Sequence, residues 1–193
     1  MRKPKMVVAT GNANKLREFS QLFTGYEVVS QKEMGFLGEV EETGSTFAEN
    51  ALLKARAAAK VLRVPALADD SGLCVVSLGG QPGVYSARYS GDHDDKANRK
   101  KLLKELDGVA DRTAYFQCAI ALVYPNGKEL LAEGRTFGKI LFEEKGEGGF
   151  GYDSLFESDD LKKSFGEASA EEKNSVSHRR RALEALLQKW NEQ

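Results

Sequence analysis

The stretch Pro65-Ala-Leu-Ala-Asp-Asp-Ser-Gly72 places two adjacent carboxylates, Asp69 and Asp70, at the end of a short apolar run. Residues Ala66 to Ala68 predict the end of a buried strand, and Ser71-Gly72 predicts a bend after it. Alternation along a strand points the two carboxylates in opposite directions, so at most one faces a given pocket. Two like charges beside an apolar core are unfavourable unless a cation or hydrogen-bond donors neutralise them. The pair is therefore either a ligand for a hard divalent metal or a turn in which one Asp fixes the bend and the other is solvated.

A second polar group, Thr10 to Lys15, follows an apolar run near the start of the chain. The run from Lys5 to Thr10 does not alternate, which predicts a strand buried on both faces, and Lys15 to Phe23 has the apolar spacing of a helix. A small-residue loop between a strand and a helix directs backbone N–H groups at an anion. The side chains that add donors to this loop are Thr10, Asn12, Asn14 and Lys15. The spacing is not that of the P-loop, and an ordinary strand-to-helix turn uses the same residue types, so both interpretations stay open.

An acidic loop, which contains Glu39, Glu41 and Glu42, precedes a long helix predicted over residues 47–62. Carboxylates in a loop are commonly just solvated. The motif Thr46-x-x-Glu49 matches a capping box, which accounts for this glutamate without any function. The side chains on the predicted polar face of the helix are Asn50, Lys54 and Arg56. These are donors for an anion or are simply solvated.

The glycine run Gly146-Glu-Gly-Gly-Phe-Gly151 formally satisfies the Gly-x-Gly-x-x-Gly pattern of dinucleotide-binding proteins. That interpretation fails because charged residues precede the run instead of a strand, and no helix follows it. A flexible loop that presents Phe150, Tyr152 and Asp153 to a flat ligand fits better, with aromatic faces for stacking and a carboxylate that accepts an N–H. The alternative is a turn whose aromatic side chains return to the core.

The residues from Ser169 to Lys173 lead into a predicted terminal helix whose first turns carry His178, Arg179, Arg180 and Arg181. Cations at this end oppose the helix dipole unless an anion lies nearby, although a solvated surface tolerates them at a small cost. We expect one of these residues, and not all four, to contact a ligand.

Composition limits the remaining choices. The 193 residues suit one domain, or one domain with two lobes. Lys and Arg number 28 against 29 Asp and Glu, so no excess positive field attracts nucleic acid or anionic lipid. The apolar run after the basic start is too short for a signal peptide or membrane span, which predicts a cytoplasmic protein. Cys74 and Cys118 lie in apolar runs and are expected to be reduced core residues.

The later part of the chain predicts an antiparallel addition to a partly parallel sheet. Residues 114–124 form the strongest predicted strand, and Pro125-Asn-Gly-Lys128 is a hairpin turn with the Asn-Gly pair that such turns favour. The return strand is predicted over residues 129–135. A surface helix is predicted over residues 92–107.

Four groups of residues, in matching order between about residues 6 and 187, resemble one family. They are Thr10-Gly-Asn-Ala-Asn-Lys15, Glu41-Glu-Thr-Gly-Ser-Thr-Phe-Ala-Glu-Asn50, Ala68-Asp-Asp-Ser-Gly72 with Pro82-Gly-Val-Tyr-Ser-Ala-Arg88, and Phe150-Gly-Tyr-Asp153 with Ser177-His-Arg179. The family is that of the noncanonical purine nucleoside triphosphate pyrophosphatases, which remove inosine and xanthosine triphosphates from nucleotide pools. The resemblance implies an α/β fold, with two lobes around a long central mixed β-sheet flanked by helices and an active site in the cleft between the lobes. It also implies one domain over residues 1–193, a homodimer, Mg²⁺ dependence, and hydrolysis of ITP, dITP and XTP to the monophosphate and pyrophosphate.

The resemblance also assigns roles to individual residues. Asp70 is the expected general base, and Glu42 and Asp70 are the expected metal ligands. The expected substrate-binding residues are Thr10, Gly11, Asn12, Ala13, Asn14, Lys15, Ser71, Phe150, Gly151, Tyr152, Asp153, Lys173, His178 and Arg179. Whether Glu41 or Glu42 binds the metal stays open by one residue, as do the number of metal ions, the dimer surface and the preference among the three nucleotides.

Two positions depart from the family pattern. Ser154 stands where many members carry Pro, which could loosen the loop that holds the base, and three arginines follow His178 where one is usual. Neither position has a chemical role. His178 and Arg179, or backbone N–H groups beside them, are expected to donate to O6 of a 6-keto purine, which would reject the 6-amino group of adenine.

The chemistry expected of the carboxylates follows from what phosphate hydrolysis needs. Mg²⁺ held by Glu42 and Asp70 neutralises charge on phosphate oxygens, and Asp70 orients and deprotonates the water. Two other functions compete with this one. They are a Maf-like pyrophosphatase acting on pyrimidine or modified nucleotides, and a nucleotide-binding regulatory module without turnover. Direct nucleic-acid binding is least favoured, because no basic stripe with interleaved aromatics is present.

Overall fold

The computed structural model describes residues 3–10, 16–17, 19–20, 23–91 and 93–192. Six strands are present in this part of the chain: β1 (Lys5–Val8), β2 (Glu27–Ser30), β3 (Ala66–Val75), β4 (Thr113–Val123), β5 (Glu129–Ile140) and β6 (Phe156–Ser158). The α-helices that lie wholly within the described residues are α1 (Phe47–Leu62), α2 (Asp95–Glu105), α3 (Ala170–Val176) and α4 (His178–Asn191). Within the helix predicted over residues 15–23, the described residues 16, 17, 19 and 20 are helical.

All six strands belong to one sheet in the order β2-β1-β3-β4-β5-β6. β1 pairs in parallel with β2 on one side and with β3 on the other, where Val8 is opposite Leu67. β5 pairs antiparallel with β6. β4 and β5 are neighbours joined by a tight turn in which the N–H of Tyr124 donates to the carbonyl of Lys128. The predicted combination of a parallel part and an antiparallel hairpin is confirmed, and the fold is α/β with a mixed sheet.

The predicted bend at Ser71-Gly72 is wrong. β3 runs without interruption from Ala66 to Val75, through both aspartates and the glycine. β3 lies between β1 and β4, so its backbone has a hydrogen-bonded neighbour on each side. β1 pairs with the first two residues of the strand, Ala66 and Leu67, and β4 is its neighbour on the other side. Its place in the sheet therefore keeps the backbone extended through a polar stretch that by itself is typical of a turn.

Caps fix the ends of the helices. Thr46 caps α1 and Glu49 completes the capping box, as predicted. The terminal helix is not the single helix that was predicted. α3 begins with a second capping box, made by Ser169 and Glu172. The helical backbone is interrupted at Ser177, and α4 begins at His178. Ser177 has extended backbone angles, and its hydroxyl accepts from the N–H of Arg180.

The chain divides into two compact units. The first comprises residues 1–70, 119–132 and 186–193, and its buried apolar side chains include Met6, Phe19, Phe23, Leu67 and Ile120. The second comprises residues 71–118 and 133–185. Its core is a cluster around Leu73, Leu102, Phe116, Phe156 and Phe165. The single domain and the cleft between lobes that the resemblance implies stay predictions.

Cys74 and Cys118 are free and buried, as expected of core cysteines. The pKa of the Cys74 thiol is raised above its usual value, because the effect of burial exceeds the opposing effects of a hydrogen bond with Tyr115 and the charge of Arg135. Within the described residues, no helix has the length and apolar character needed to cross a membrane.

Candidate active site

Two carboxylates of the first unit lie close to one cation. The Nζ atom of Lys54 donates to Oε1 of Glu42 at 2.6 Å and lies 4.0 Å from Oδ1 of Asp70. The three side chains are mostly buried, with exposed fractions of 18% for Lys54, 28% for Glu42 and 14% for Asp70. Glu41, by contrast, is exposed. One positive charge therefore reaches both carboxylates that the resemblance assigns to a metal, and the geometry favours Glu42 over Glu41.

Asn50 links Asp70 to the backbone of Gly44 through two hydrogen bonds. It is fully buried, its Nδ2 donates to Oδ2 of Asp70 at 3.0 Å, and its Oδ1 accepts from the N–H of Gly44 at 2.8 Å. Gly44 allows this approach, because a Cβ at that position would lie 2.6 Å from Oδ1 of Asn50. A single amide thus fixes Asp70 and the backbone two residues beyond Glu42. The expectation that Asn50 lies on the outer polar face of α1 is wrong.

Replacing Asn50 by Ala tests this connection. We expect the free energy of unfolding to fall by about 1–3 kcal/mol, because the Gly44 N–H loses its acceptor and Asp70 loses a donor. Urea unfolding of the parent and the variant measures the change. The matched control is Arg56→Ala on the same helix, which removes an ion pair with Glu129 in which Arg56 is 53% exposed, and should change stability by less than about 1 kcal/mol. An equal loss in both variants would contradict the role given to Asn50.

Thr10 follows the carboxyl end of β1, past which β3 continues through the aspartates. Val8, the last residue of β1, is paired with Leu67, and Thr10 and Asp69 each come two residues later in the chain. Asp69 is 3% exposed and Asp70 more exposed, in keeping with the predicted alternation. Ser71 is half-buried on the same strand. The predicted phosphate-binding residues Gly11, Asn12, Ala13, Asn14 and Lys15 lie outside the described residues.

A second polar group lies in the second unit, around the glycine run. Asp153 is 3% exposed, accepts a hydrogen bond from the N–H of Phe150 at 2.9 Å, and forms an ion pair with Lys173. The Nζ atom of Lys173 lies 4.5 Å from the centre of the Phe150 ring. The carboxylate of Asp153 therefore binds the backbone N–H of Phe150 and the ammonium of Lys173. That it accepts an N–H from a base stays a prediction.

The two aromatic residues of the run behave differently. Phe150 is 69% exposed, so its ring is open to a ligand. Tyr152 is 4% exposed, belongs to the core of the second unit, and donates its hydroxyl to the carbonyl of Ser86 at 2.7 Å. The sequence left open whether these aromatic side chains face a ligand or pack in the core. Phe150 is exposed as the first alternative predicts, and Tyr152 packs in the core as the second predicts.

The four basic residues at the start of α4 have different surroundings. His178 is 9% exposed and stacks on Phe116 with ring centres 5.1 Å apart. Arg180 pairs with Glu184 one turn further along, and Arg181 pairs with Asp160 and donates to the carbonyl of Arg135. The two additional arginines are thus structural. Arg179 is half-buried and stays a predicted ligand contact.

Some of this geometry was available from the sequence. Asn50 and Lys54 are four residues apart and so share one face of a helix, and that spacing could have indicated their common contact with Asp70. The contacts of the glycine run with Asp95 and Arg99, described below, join residues more than fifty positions apart and carry no local signal.

The fold and these residues define an α/β protein with a cluster of two carboxylates and a lysine at the middle of β3, past the carboxyl end of its parallel neighbour β1. Ligands of open α/β sheets commonly bind outside the carboxyl ends of parallel strands. The chain belongs to the Ham1 family, whose sequence pattern matches residues 6–189. The dITP/XTP pyrophosphatase of Desulforamulus reducens is 52% identical over 192 residues, which cover 97% of this chain and 96% of that protein. The protein of the same name from Lactiplantibacillus plantarum is 46% identical over 197 residues, covering 100% of this chain and 98% of the relative.

The solved structures agree. The Ham1 protein of Staphylococcus aureus superposes with a TM-score of 0.93 at 44% identity, covering 97% of this chain and 98% of that one. The nucleoside-triphosphatase, or dITP/XTP pyrophosphatase, of Mycobacterium abscessus gives a TM-score of 0.84 at 45% identity, covering 95% and 98%. These comparisons confirm the α/β fold with a mixed sheet and the family that the motifs resemble.

Proposed function

We propose that this protein hydrolyses noncanonical purine nucleoside triphosphates, namely ITP, dITP and XTP, to the monophosphate and pyrophosphate. Two independent facts support the proposal. Relatives about half identical over their full length carry the name dITP/XTP pyrophosphatase. The observation that carries it is the ammonium group of Lys54, which lies within 4.0 Å of carboxylate oxygens of both Glu42 and Asp70.

The residues of this cluster fit Mg²⁺. Two carboxylates supply the hard oxygen ligands that Mg²⁺ prefers, and both lie within 4.0 Å of one positive charge. When bound, Mg²⁺ neutralises charge on the phosphate oxygens and makes a nearby water more acidic. Glu42 and Asp70 would hold the ion, which frees the ammonium of Lys54 for a phosphate oxygen.

The protein's own groups then have separate tasks. Asp70 orients the attacking water and accepts its proton at a carboxylate oxygen. Asn50 donates to Oδ2 of that carboxylate, which helps Asp70 keep one orientation. The pyrophosphate leaving group carries most of the developing charge, which Lys15, Lys54 and the backbone N–H groups of residues 10–15 are proposed to stabilise.

Recognition of the base falls to the second unit in this proposal. The exposed ring of Phe150 offers a face for stacking, and Lys173, His178 and Arg179 offer donors. Donors directed at O6 would be left unpaired by adenine, whose 6-amino group is itself a donor, and such mismatches reject a substrate by several orders of magnitude.

A pyrophosphate-release assay tests the proposal. Purified protein is given ITP, XTP, dITP, ATP and dTTP, each with 5 equivalents or none of Mg²⁺, at roughly the same nucleotide concentration. We expect release from the first three only, at least about a hundredfold above ATP, and only with the metal. Release from dTTP instead would identify a Maf-like activity, and binding of ITP without release would identify a regulatory module.

The homodimeric state and cytoplasmic location are also proposed here, and they rest on the resemblance. Light scattering coupled to size-exclusion chromatography would give twice the 21.2 kDa chain mass for a dimer.

A further inference from the structure

Both backbone polar groups of Gly151 are bound by side chains of α2. The N–H of Gly151 donates to Oδ2 of Asp95 at 2.9 Å, and its carbonyl accepts from Nη1 of Arg99 at 2.8 Å. Asp95 and Arg99 are four residues apart, so they lie one above the other on the same helix face. Gly151 has φ +61°, a left-handed conformation that few other residues adopt readily. We call Asp95 and Arg99 the loop clamp.

The loop clamp also reaches the start of the glycine run. The Nε atom of Arg99 lies 3.1 Å from Oε1 of Glu144, an ion-pair distance outside hydrogen-bond geometry. The other oxygen of Glu144 accepts from the hydroxyl of Ser154 at 3.0 Å. Burial raises the pKa of Glu144, but Arg99 and Ser154 outweigh this effect and lower it below the usual value. Ser154, where many family members carry Pro, thus fixes the loop by a side-chain bond.

The glycine run is closely packed against the backbone of Gly166 and the side chain of Asp153. A Cβ on Gly146 would lie 2.2 Å from the backbone of Gly166, and one on Gly149 would lie 2.1 Å from Oδ2 of Asp153. Gly148 donates its N–H to the carbonyl of Gly166 at 2.9 Å. The loop is therefore bound on one side by backbone and Asp153, and on the other by the loop clamp.

Phe150 is the residue whose direction depends on these contacts. It lies between Gly149 at φ +75° and Gly151 at φ +61°, and its ring is 69% exposed, with the ammonium of Lys173 4.5 Å from its centre. Two flanking glycines give the backbone wide freedom, and side-chain packing does not restrict an exposed ring. The N–H of Phe150 donates to the carboxylate of Asp153, and its carbonyl accepts from the N–H of Asp153. The hydrogen bonds at Gly151 fix the next residue, so together these contacts hold the backbone that carries the ring before a ligand arrives.

We infer that Asp95 and Arg99 are positioning residues that hold the ring of Phe150 ready for a purine base. The inference rests on the proposed function. Holding the loop in its binding conformation removes an ordering cost that the ligand would otherwise meet, so the loop clamp strengthens binding of the nucleotide. Asp70 and Glu42 do not take part in these contacts, so the chemical step is unaffected.

The test compares removal with conservative replacement. Arg99→Met and Asp95→Ala each remove one bond to Gly151, whereas Asp95→Asn keeps a side-chain oxygen that accepts its N–H. We expect KM for ITP to rise about ten- to a hundredfold in Arg99→Met and Asp95→Ala, with kcat within about threefold of the parent. Asp95→Asn should restore KM to within about threefold. Arg180→Met, which removes only the exposed pair with Glu184, is the control and should leave both constants unchanged.

Each result bears on the inference. A lower melting temperature with KM unchanged, or a failure of Asp95→Asn to restore KM, would overturn it and leave the loop clamp a purely structural contact. If the parent binds ITP but releases no pyrophosphate, the proposed function fails, and calorimetric Kd values for ITP replace KM in the same comparison. A parent that binds no ITP overturns both.

Discussion

Asp70→Asn is expected to lower turnover of ITP by at least about 10³-fold while the protein still binds the nucleotide. The substitution keeps the shape of the side chain and an oxygen that accepts from Asn50, so the local structure should survive. It removes the base that accepts the proton of the attacking water and one of the two proposed metal ligands. General-base catalysis alone contributes about 10²–10⁴-fold, so loss of both roles should exceed either one. Single-turnover kinetics and calorimetric titration with ITP measure the two quantities separately.

The neighbouring glutamates supply a matched control for this experiment. Glu42 is half-buried and contacts Lys54, whereas Glu41 is exposed. We expect Glu42→Gln to need a higher Mg²⁺ concentration for half-maximal rate and to lose turnover, and Glu41→Gln to resemble the parent. Turnover within tenfold of the parent in Asp70→Asn would remove this carboxylate from the mechanism, whatever the glutamates do.

The sequence predicted those parts of the fold that depend on near neighbours. The capping box at Thr46 and the Asn-Gly turn before β5 act over three or four residues, and both are present. The path of β3 through two aspartates depends on β1 and β4 on either side. The eight residues 65–72 carry no information about which strands lie beside them, and the turn predicted there was wrong.

The same distinction holds for the site. The family resemblance assigned Glu42 and Asp70 to one metal ion, and the structure places both carboxylates near Lys54. Their role as metal ligands stays a prediction. The sequence could not decide which aromatic of the glycine run returns to the core, because Phe150 and Tyr152 differ mainly in a hydroxyl. The hydroxyl of Tyr152 finds the carbonyl of Ser86, 66 residues away in the chain, and this bond fits a buried tyrosine and is impossible for phenylalanine.

Breaking the ion pair between Asp153 and Lys173 should cause a large loss of stability. Variants of the two residues should also change stability and activity independently. The two side chains are 5% and 16% exposed, so removing one partner leaves a mostly buried charge. We expect Asp153→Asn to lower the free energy of unfolding by about 3 kcal/mol, in line with broken buried pairs. Asn keeps an oxygen for the N–H of Phe150, so this loss reports mainly on the unpaired ammonium of Lys173. Lys163→Met, which breaks a pair that is 36% and 44% exposed, is the control and should cost less than about 1 kcal/mol.

The double variant Asp153→Asn with Lys173→Met decides what the pair does. Removing both charges takes away the unpaired ammonium, so stability should recover by at least about 1 kcal/mol relative to Asp153→Asn. Activity should be low in the double variant whatever its stability, because the ammonium over the ring of Phe150 is absent. We expect kcat/KM for ITP in the double variant to be about a hundredfold below that of the parent. Urea unfolding and steady-state kinetics on the parent, Asp153→Asn, Lys173→Met and the double variant give the complete cycle. If kcat/KM rises together with stability in the double variant, Lys173 serves only to balance Asp153, and recognition of the base must be sought in His178 and Arg179 alone.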